Sequence, residues 1–353
     1  MNVRERIEAF WAGEKPDRIP YTVLSFIFWN GLSKDPAWGP LFENGLGMTM
    51  YISSHKTKGH DYEVKKDTYI ENGKTIKRTT WVTPVGEAYQ EEVMEDNSVL
   101  GWVRKYVLCE PEDYRVMTWV TNHTDVLPAY DKYEQTLAKM PSYGIPDMIM
   151  GRGPMQKILV DYAGVENFAE QLFECEEEVE ELYEAYEKFF AKQIDVIAGG
   201  PGRYVNIREN FTSEALGAKR YEKYFMPVYE KYIPILHQSG KIVGTHYDGR
   251  LRSCADMIAK APMDLIESLT PPSEGDMELW ECREKWPDKL FWSNIRVSEY
   301  ELPEEELRAR VRELVKQASP DGTKLAFEIS EDIPRNWQKS LPIVLDELNH
   351  LEI

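Results

Sequence analysis

From about residue 145 the chain repeats one cycle: a short apolar segment, a loop, then an amphipathic helix. The apolar segments are Asp147-Met-Ile-Met-Gly151, Arg203-Tyr-Val-Asn-Ile-Arg208, Lys241-Ile-Val-Gly-Thr-His246, Met263-Asp-Leu-Ile-Glu-Ser268, Leu290-Phe-Trp-Ser-Asn294 and Lys324-Leu-Ala-Phe-Glu-Ile329. Helical stretches separate them: two acidic ones over 166–197, Lys219 to Gln238 stopped at Gly240, Arg250 to Lys260, about 275–285, and Pro303 to Gln317. A last helix, Asn336 to Leu351, closes the chain. Alternation of this kind calls for parallel strands joined by helical crossovers, because a parallel pair cannot be linked by a tight turn. At the front, a helix over Val3 to Ala12 ends at Gly13, and Asp17 to Phe26 reads as a first buried strand. Over some 200 residues no Gly-rich nucleotide fingerprint interrupts the cycle. The pattern therefore predicts a closed (β/α)8 barrel rather than an open doubly wound sheet, with the whole chain forming one domain.

Residues from about 60 to 120 have another texture. Lys77-Arg-Thr-Thr-Trp-Val82 and Glu87-Ala-Tyr-Gln-Glu-Glu-Val93 alternate in polarity and flank the turn signals Asn72-Gly73 and Pro84-Val-Gly86. These features predict an antiparallel β-meander inserted in the N-terminal part of the barrel.

Composition narrows the function. With 42% hydrophobic and 12% aromatic residues the chain can bury a large core. Its formal net charge of -19 repels nucleic acid and anionic membranes, so neither is expected as a partner. No apolar run approaches the roughly 18 residues a membrane span needs, and the charged opening segment reads as a helix and not as a signal peptide. Cys109, Cys175, Cys254 and Cys282 are scattered without CxxC spacing, which points to a cytoplasmic protein whose Asn122 and Asn210 sequons are silent. P-loop, HExxH and GxSxG motifs are all absent, removing the enzyme classes that depend on them.

In a barrel of this kind chemistry sits at the C-terminal ends of the strands. Three such ends are polar: Arg208-Glu209-Asn210, His246-Tyr-Asp248-Gly249 and Glu328-Ile-Ser-Glu331-Asp332. In extended chain, His246 and Asp248 face the same side, so both can reach one point. An imidazole and a carboxylate so placed suit either a metal ion or a general acid/base pair; a hydrogen bond of purely structural use is the plainer alternative. Glu209, Glu328 and Glu331 would repel Asp248 unless a cation joined them, so a zinc-like divalent ion held by His246, Asp248 and one or more of these glutamates is the expectation. Tyr247 joins the expected catalytic group, with Arg208 and Asn210 as substrate contacts. Past the first strand, Phe26-Ile-Phe28-Trp29, with Trp38, Tyr51 and Tyr247, offers flat faces for an aryl ring.

Three blocks resemble the uroporphyrinogen-decarboxylase superfamily. They are the opening Arg4-Glu-Arg-Ile-Glu-Ala-Phe-Trp-Ala-Gly-Glu-Lys-Pro-Asp-Arg-Ile-Pro20, the stretch Tyr221-Glu-Lys-Tyr-Phe-Met-Pro227 with Gly240-Lys-Ile-Val-Gly-Thr-His-Tyr-Asp-Gly249, and the ending Ala326-Phe-Glu-Ile-Ser-Glu-Asp-Ile-Pro334. The meander and Glu110-Pro-Glu-Asp-Tyr-Arg-Val-Met117 resemble its corrinoid-dependent methyltransferase branch. True decarboxylases of the superfamily carry an Arg-rich clamp after the first strand; here Ser25 to Gly31 contains no arginine, so decarboxylation of a poly-anion is not expected. Thiol-methylating members hold zinc through H-x-C and a cysteine on the last strand; the corresponding positions here are Asp248 and Glu331. Oxygen ligands leave zinc a harder Lewis acid, which suits pulling on the oxygen of a methyl ether. The resemblance thus implies transfer of methyl from an aryl methyl ether to a corrinoid. No D-x-H-x-x-G motif is present, so the corrinoid would arrive on a partner protein. The competing reading is a metal-independent decarboxylase or lyase using His246 and Asp248 as acid and base.

Overall fold

The computed structural model describes residues 1–25, 34–94, 101–329 and 332–352. It divides into two compact units: 1–53 with 131–150 and 201–353, and 54–130 with 151–200.

The first unit is a closed barrel of eight parallel strands: β1 (Tyr21–Leu24), β2 (Gly47–Ile52), β3 (Gly144–Gly151), β4 (Tyr204–Ile207), β5 (Ile242–His246), β6 (Leu265–Leu269), β7 (Leu290–Ile295) and β8 (Leu325–Ile329). Each lies between its chain neighbours, and β8 closes on β1 through Tyr21 opposite Phe327. Seven of these strands match the apolar segments read from the sequence. The eighth, β2, is new: Gly47-Met-Thr-Met-Tyr-Ile52 follows the turn signal Asn44-Gly45 but has no β-branched run to mark it as a strand. β6, β7 and β8 are buried at every residue, as strands covered on both faces must be.

The bottom of the barrel is plugged by the opening helix. Helix α1 (Val3–Trp11) starts at a capping box in which Asn2 and Glu5 each accept the other's backbone N–H. Ile7, Phe10 and Trp11 fall on one face and join Ile145, Tyr204, Leu265, Leu290, Trp292 and Ala326 in one buried cluster. Trp11 stacks on Tyr204 at 4.9 Å. Truncating such a side chain to alanine costs about 3–5 kcal/mol. Apolar packing thus fills the lower interior, and the polar inward residues are displaced toward the upper mouth.

Later in the unit, the predicted helix over Lys219 to Gln238 is broken into Ala218–Arg220, a π-turn at Tyr221–Phe225, and helix α2 (Met226–Gln238). Pro227 sits at the start of α2, where a missing N–H is harmless. No described helix is long and apolar enough to cross a membrane.

The second unit carries the expected meander. Strands Glu63–Glu71, Lys74–Thr83, Gly86–Met94 and Gly101–Lys105 pair antiparallel in chain order. Asn72 and Gly73 both have positive φ, 51° and 78°, as the first hairpin's two-residue turn requires. The meander stops short of residue 120, because Pro111–Asn122 is a helix opened by an N-terminal proline. Strands His55–Gly59 and Thr124–Pro128 add a separate antiparallel pair, and a 23-residue helix, Glu176–Ala198, completes the unit.

Candidate active site at the barrel mouth

Period-two alternation points Tyr204, Asn206 and Arg208 inward from β4 and His246 and Asp248 inward at the end of β5. β3 brings Asp147, β2 brings Tyr51, and β8 brings Glu328. At the end of β6 the register slips between Glu267 and Leu269, and Ser268 takes φ 60°. This bulge aims two successive side chains at the same interior: Glu267 toward His246, and Ser268 toward Glu328 (3.4 Å) and the amide of Asn294 (3.2 Å).

His246 is fully buried at the centre. Its Nδ1 is in short hydrogen-bond contact with Glu267, and its Nε2 lies 3.6 Å from Asp248 Oδ2. Asn210 donates to the same Asp248 oxygen at 3.2 Å. Glu267 also accepts from Arg208 at 3.2 and 3.3 Å, while Arg208 donates to the Tyr51 hydroxyl at 2.5 Å and stands 3.9 Å from Asp147.

Protonation follows from these neighbours. Burial works against a charged His246, but Glu267 and Asp248 outweigh it and hold the imidazolium up to about 9. Burial would raise Glu267; His246 and Arg208 overcome it and keep the carboxylate charged far below its usual range. Glu328 goes the other way, because burial and the adjacent Glu267 charge both raise it and favour its protonated form. Asp147 is lifted to about 7 by burial against the pull of Arg208. The site thus sets the His246 and Arg208 cations against the Glu267 and Asp248 carboxylates, with Glu328 and Asp147 both pushed toward their protonated forms.

The remaining predicted residues divide. Arg208 belongs to the site, but as the clamp on Glu267 and Tyr51. Asn210 orients Asp248. Glu209 is directed elsewhere: after Ile207 the chain turns, Asn210 takes φ 48°, and the fully buried Glu209 accepts from Tyr229 of α2 at 2.8 Å. Tyr247, one residue from His246, faces the opposite side and bonds Tyr221 and Tyr229, each at 3.0 Å. Both are therefore corrected from site residues to parts of the layer between barrel and helix. Trp38 stacks on Trp337 at 4.1 Å and is core, not an aryl clamp. Phe26, Phe28, Trp29 and Glu331 lie outside the described residues. Glu267 and Asp147 were missed; the available signal was a single acid inside an otherwise apolar strand, since such a group is buried only with a partner. Cys254 is buried, and burial pushes its thiol up to about 11, away from the reactive thiolate.

Two ligands on one zinc ion, each roughly 2 Å away in tetrahedral arrangement, stand roughly 3.3 Å apart. The pair His246 and Asp248 meets that spacing, and the Glu267 contact on the far ring nitrogen is the usual support of a metal-binding histidine. Glu328 serves Ser268 and Glu267 instead. Among the described residues no group of three or more His, Cys, Asp or Glu side chains is arranged to hold a metal.

No family profile and no curated protein matches the sequence. Solved structures do. A methyltransferase from Methanosarcina mazei superposes with a TM-score of 0.57 over 98% of this chain and 99% of its own, at 11% identity. The barrel fold is shared. A B12-independent methionine synthase from Shewanella sp. W3-18-1 matches at 0.42 over 89% and 84%, also at 11% identity.

Proposed function

We propose that this chain is an enzyme that moves a methyl group from a small methylated donor, an aryl methyl ether, to the corrinoid of a separate partner protein. The observation that carries the reading is the His246 ring fixed between two carboxylates at the barrel mouth, Glu267 on Nδ1 and Asp248 facing Nε2. A methyltransferase stands among the solved structures with this barrel, which supports the reaction class. His246 and Asp248 would hold a zinc ion, with Glu331 as the remaining oxygen ligand from the sequence pattern. When bound, such an ion supplies Lewis acidity to the leaving oxygen of the donor.

The chain's own groups have separate duties. Glu267 keeps Nδ1 protonated and the ring pointed at the mouth. Asn210 fixes the Asp248 carboxylate. Arg208 balances Glu267 so that its charge is tolerated in the interior, and Tyr51 fixes the guanidinium in turn. Burial and the Glu267 charge favour a protonated Glu328, which would serve as a proton source for a leaving oxygen as it gains charge. Absence of an arginine clamp between Ser25 and Gly31 suits a donor of little charge.

The test is to mix the zinc-supplied protein with a reduced corrinoid protein and methoxyphenols, methanol or methylamines, and follow the cobalt spectrum. Methyl-cobalt should form with a methoxyphenol and not with the H246A variant. Preference for methanol or an amine over every aryl ether would overturn the donor; no methylation from any donor would overturn the reaction. A second reading has its own support: an imidazolium persisting to about 9 is a ready general acid, which suits a metal-independent lyase. Metal analysis of the purified protein separates the two, since bound zinc lost in H246A favours methyl transfer.

A further inference from the structure

We propose that the second unit contains a small-molecule site of its own, for a planar aromatic carboxylate carrying a hydroxyl group. The site lies between one face of the four-stranded sheet and the π-helix Lys157–Ala163, in a groove of about 510 Å³. That volume falls in the range of ordinary ligand pockets. The inference goes beyond the methyl-transfer reading and does not depend on it.

Three independent features specify the ligand. First, the walls are flat and apolar. By strand alternation Val64, Trp81 and Val103 share the groove face, and Trp81 stacks on no other ring among the described residues. Tyr162 lines the opposite side. Second, the charge is locally positive in a chain of net charge -19. Lys157 reaches the groove, pairs with Asp161 and stands 4.9 Å above the Tyr162 ring, while Arg152 occupies the same Asp161 at 2.9 Å. Lys66 is a second cation lining the groove, and Glu92 is offset by Lys77 directly opposite in the register. Third, Gln90 presents a buried carbonyl oxygen with no donor among the described residues, its amide nitrogen being spent on Glu92 at 3.3 Å. A ligand hydroxyl would satisfy it, and a buried acceptor left unmet costs about 1–3 kcal/mol.

The wall opposite the sheet is a seven-residue π-helix. Such helices are rare and concentrate at functional sites, because their wider turn loses regular hydrogen-bond geometry for a local change in side-chain direction. Here the change sets Lys157, Val160, Asp161 and Tyr162 along the groove. An ordinary α-helix, with 3.6 residues per turn, would space these side chains differently.

The experiment titrates the full chain with 4-hydroxybenzoate by calorimetry, alongside benzoate, acetate and inorganic phosphate. Saturable one-to-one binding is expected. W81A and K157M should each weaken it at least about tenfold, K157R should restore it, and Q90L should abolish the preference for 4-hydroxybenzoate over benzoate. Acetate and phosphate should not compete, and H246A should bind as the parent does, which places the site apart from the barrel mouth. Circular dichroism checks folding; if K157M is unfolded, K66M and W81A carry the test. Absence of saturable binding, binding indifferent to W81A and K66M, or loss of binding in H246A would overturn the proposal.

Discussion

Replacing Glu267 by glutamine in metal-free protein isolates the electrostatics of the site. The substitution keeps size and shape and removes one charge. In the parent, burial acts to lower His246, and Glu267 with Asp248 raises it from the ordinary 6.5 to about 9. Without the Glu267 charge, burial and the Arg208 guanidinium oppose the imidazolium with Asp248 alone in its favour, so His246 should titrate below 6.5. From about 9 to below 6.5 amounts to at least about 3 kcal/mol at 1.36 kcal/mol per unit. The sign for stability follows directly. A group raised in the folded state stabilises fully below its unfolded value and loses that contribution as pH rises through the folded one. Parent stability should therefore fall between pH 6.5 and about 9 by up to about 3 kcal/mol, and the variant should lack this slope. NMR titration of the His246 ring, assigned with an H246N variant, reads the change directly; urea unfolding across the same pH range reads its consequence. If His246 in the variant still titrates within about half a unit of the parent value, Glu267 does not govern it and the reasoning is wrong.

Further expectations can be checked individually. H246A should cut turnover at least about a hundredfold with the fold intact by circular dichroism. Zinc must displace the His246 proton, so calorimetric affinity should climb with pH up to about 9, beyond the 6.5 of an ordinary histidine. Y229F removes one donor from buried Glu209; about 1–3 kcal/mol of stability should be lost in denaturant titration, with the His246 titration unmoved. G244A places a Cβ 2.3 Å from the Tyr204 hydroxyl beneath the site, costing about 1–3 kcal/mol by thermal unfolding.

The barrel was legible because burial on both faces writes parallel strands as apolar runs, and helices between them carry their own period. β2 escaped since only Gly47, Thr49 and Ile52 are fully buried in it, too mixed a set to stand out. At the mouth, the two-residue step from His246 to Asp248 depends only on extended backbone, so spacing alone located that pair. The same rule turns Glu209 away: with Tyr204, Asn206 and Arg208 facing inward, Glu209 falls on the opposite side, where it accepts from Tyr229. Glu267 required knowledge of which strand neighbours β5, a fact of topology that no local pattern contains. The sequence-based metal set likewise assumed that carboxylates at neighbouring strand ends converge, whereas hydrogen-bond partners on helices compete for them.

A closed barrel has no first or last strand, so β1 to β8 offer nothing for another chain to extend. The meander sheet does, because Glu63–Glu71 runs along its margin with a row of backbone groups unmatched on one side. Five of its nine residues are charged: Glu63, Lys65, Lys66, Asp67 and Glu71. A strand that would add itself there must strip water from those charges and meet them without partners, a cost that guards against aggregation. Protection of this edge from β-type self-association therefore rests on its charged ribbon. Surface changes toward Thr or Val along it would alter colloidal behaviour long before they altered the fold.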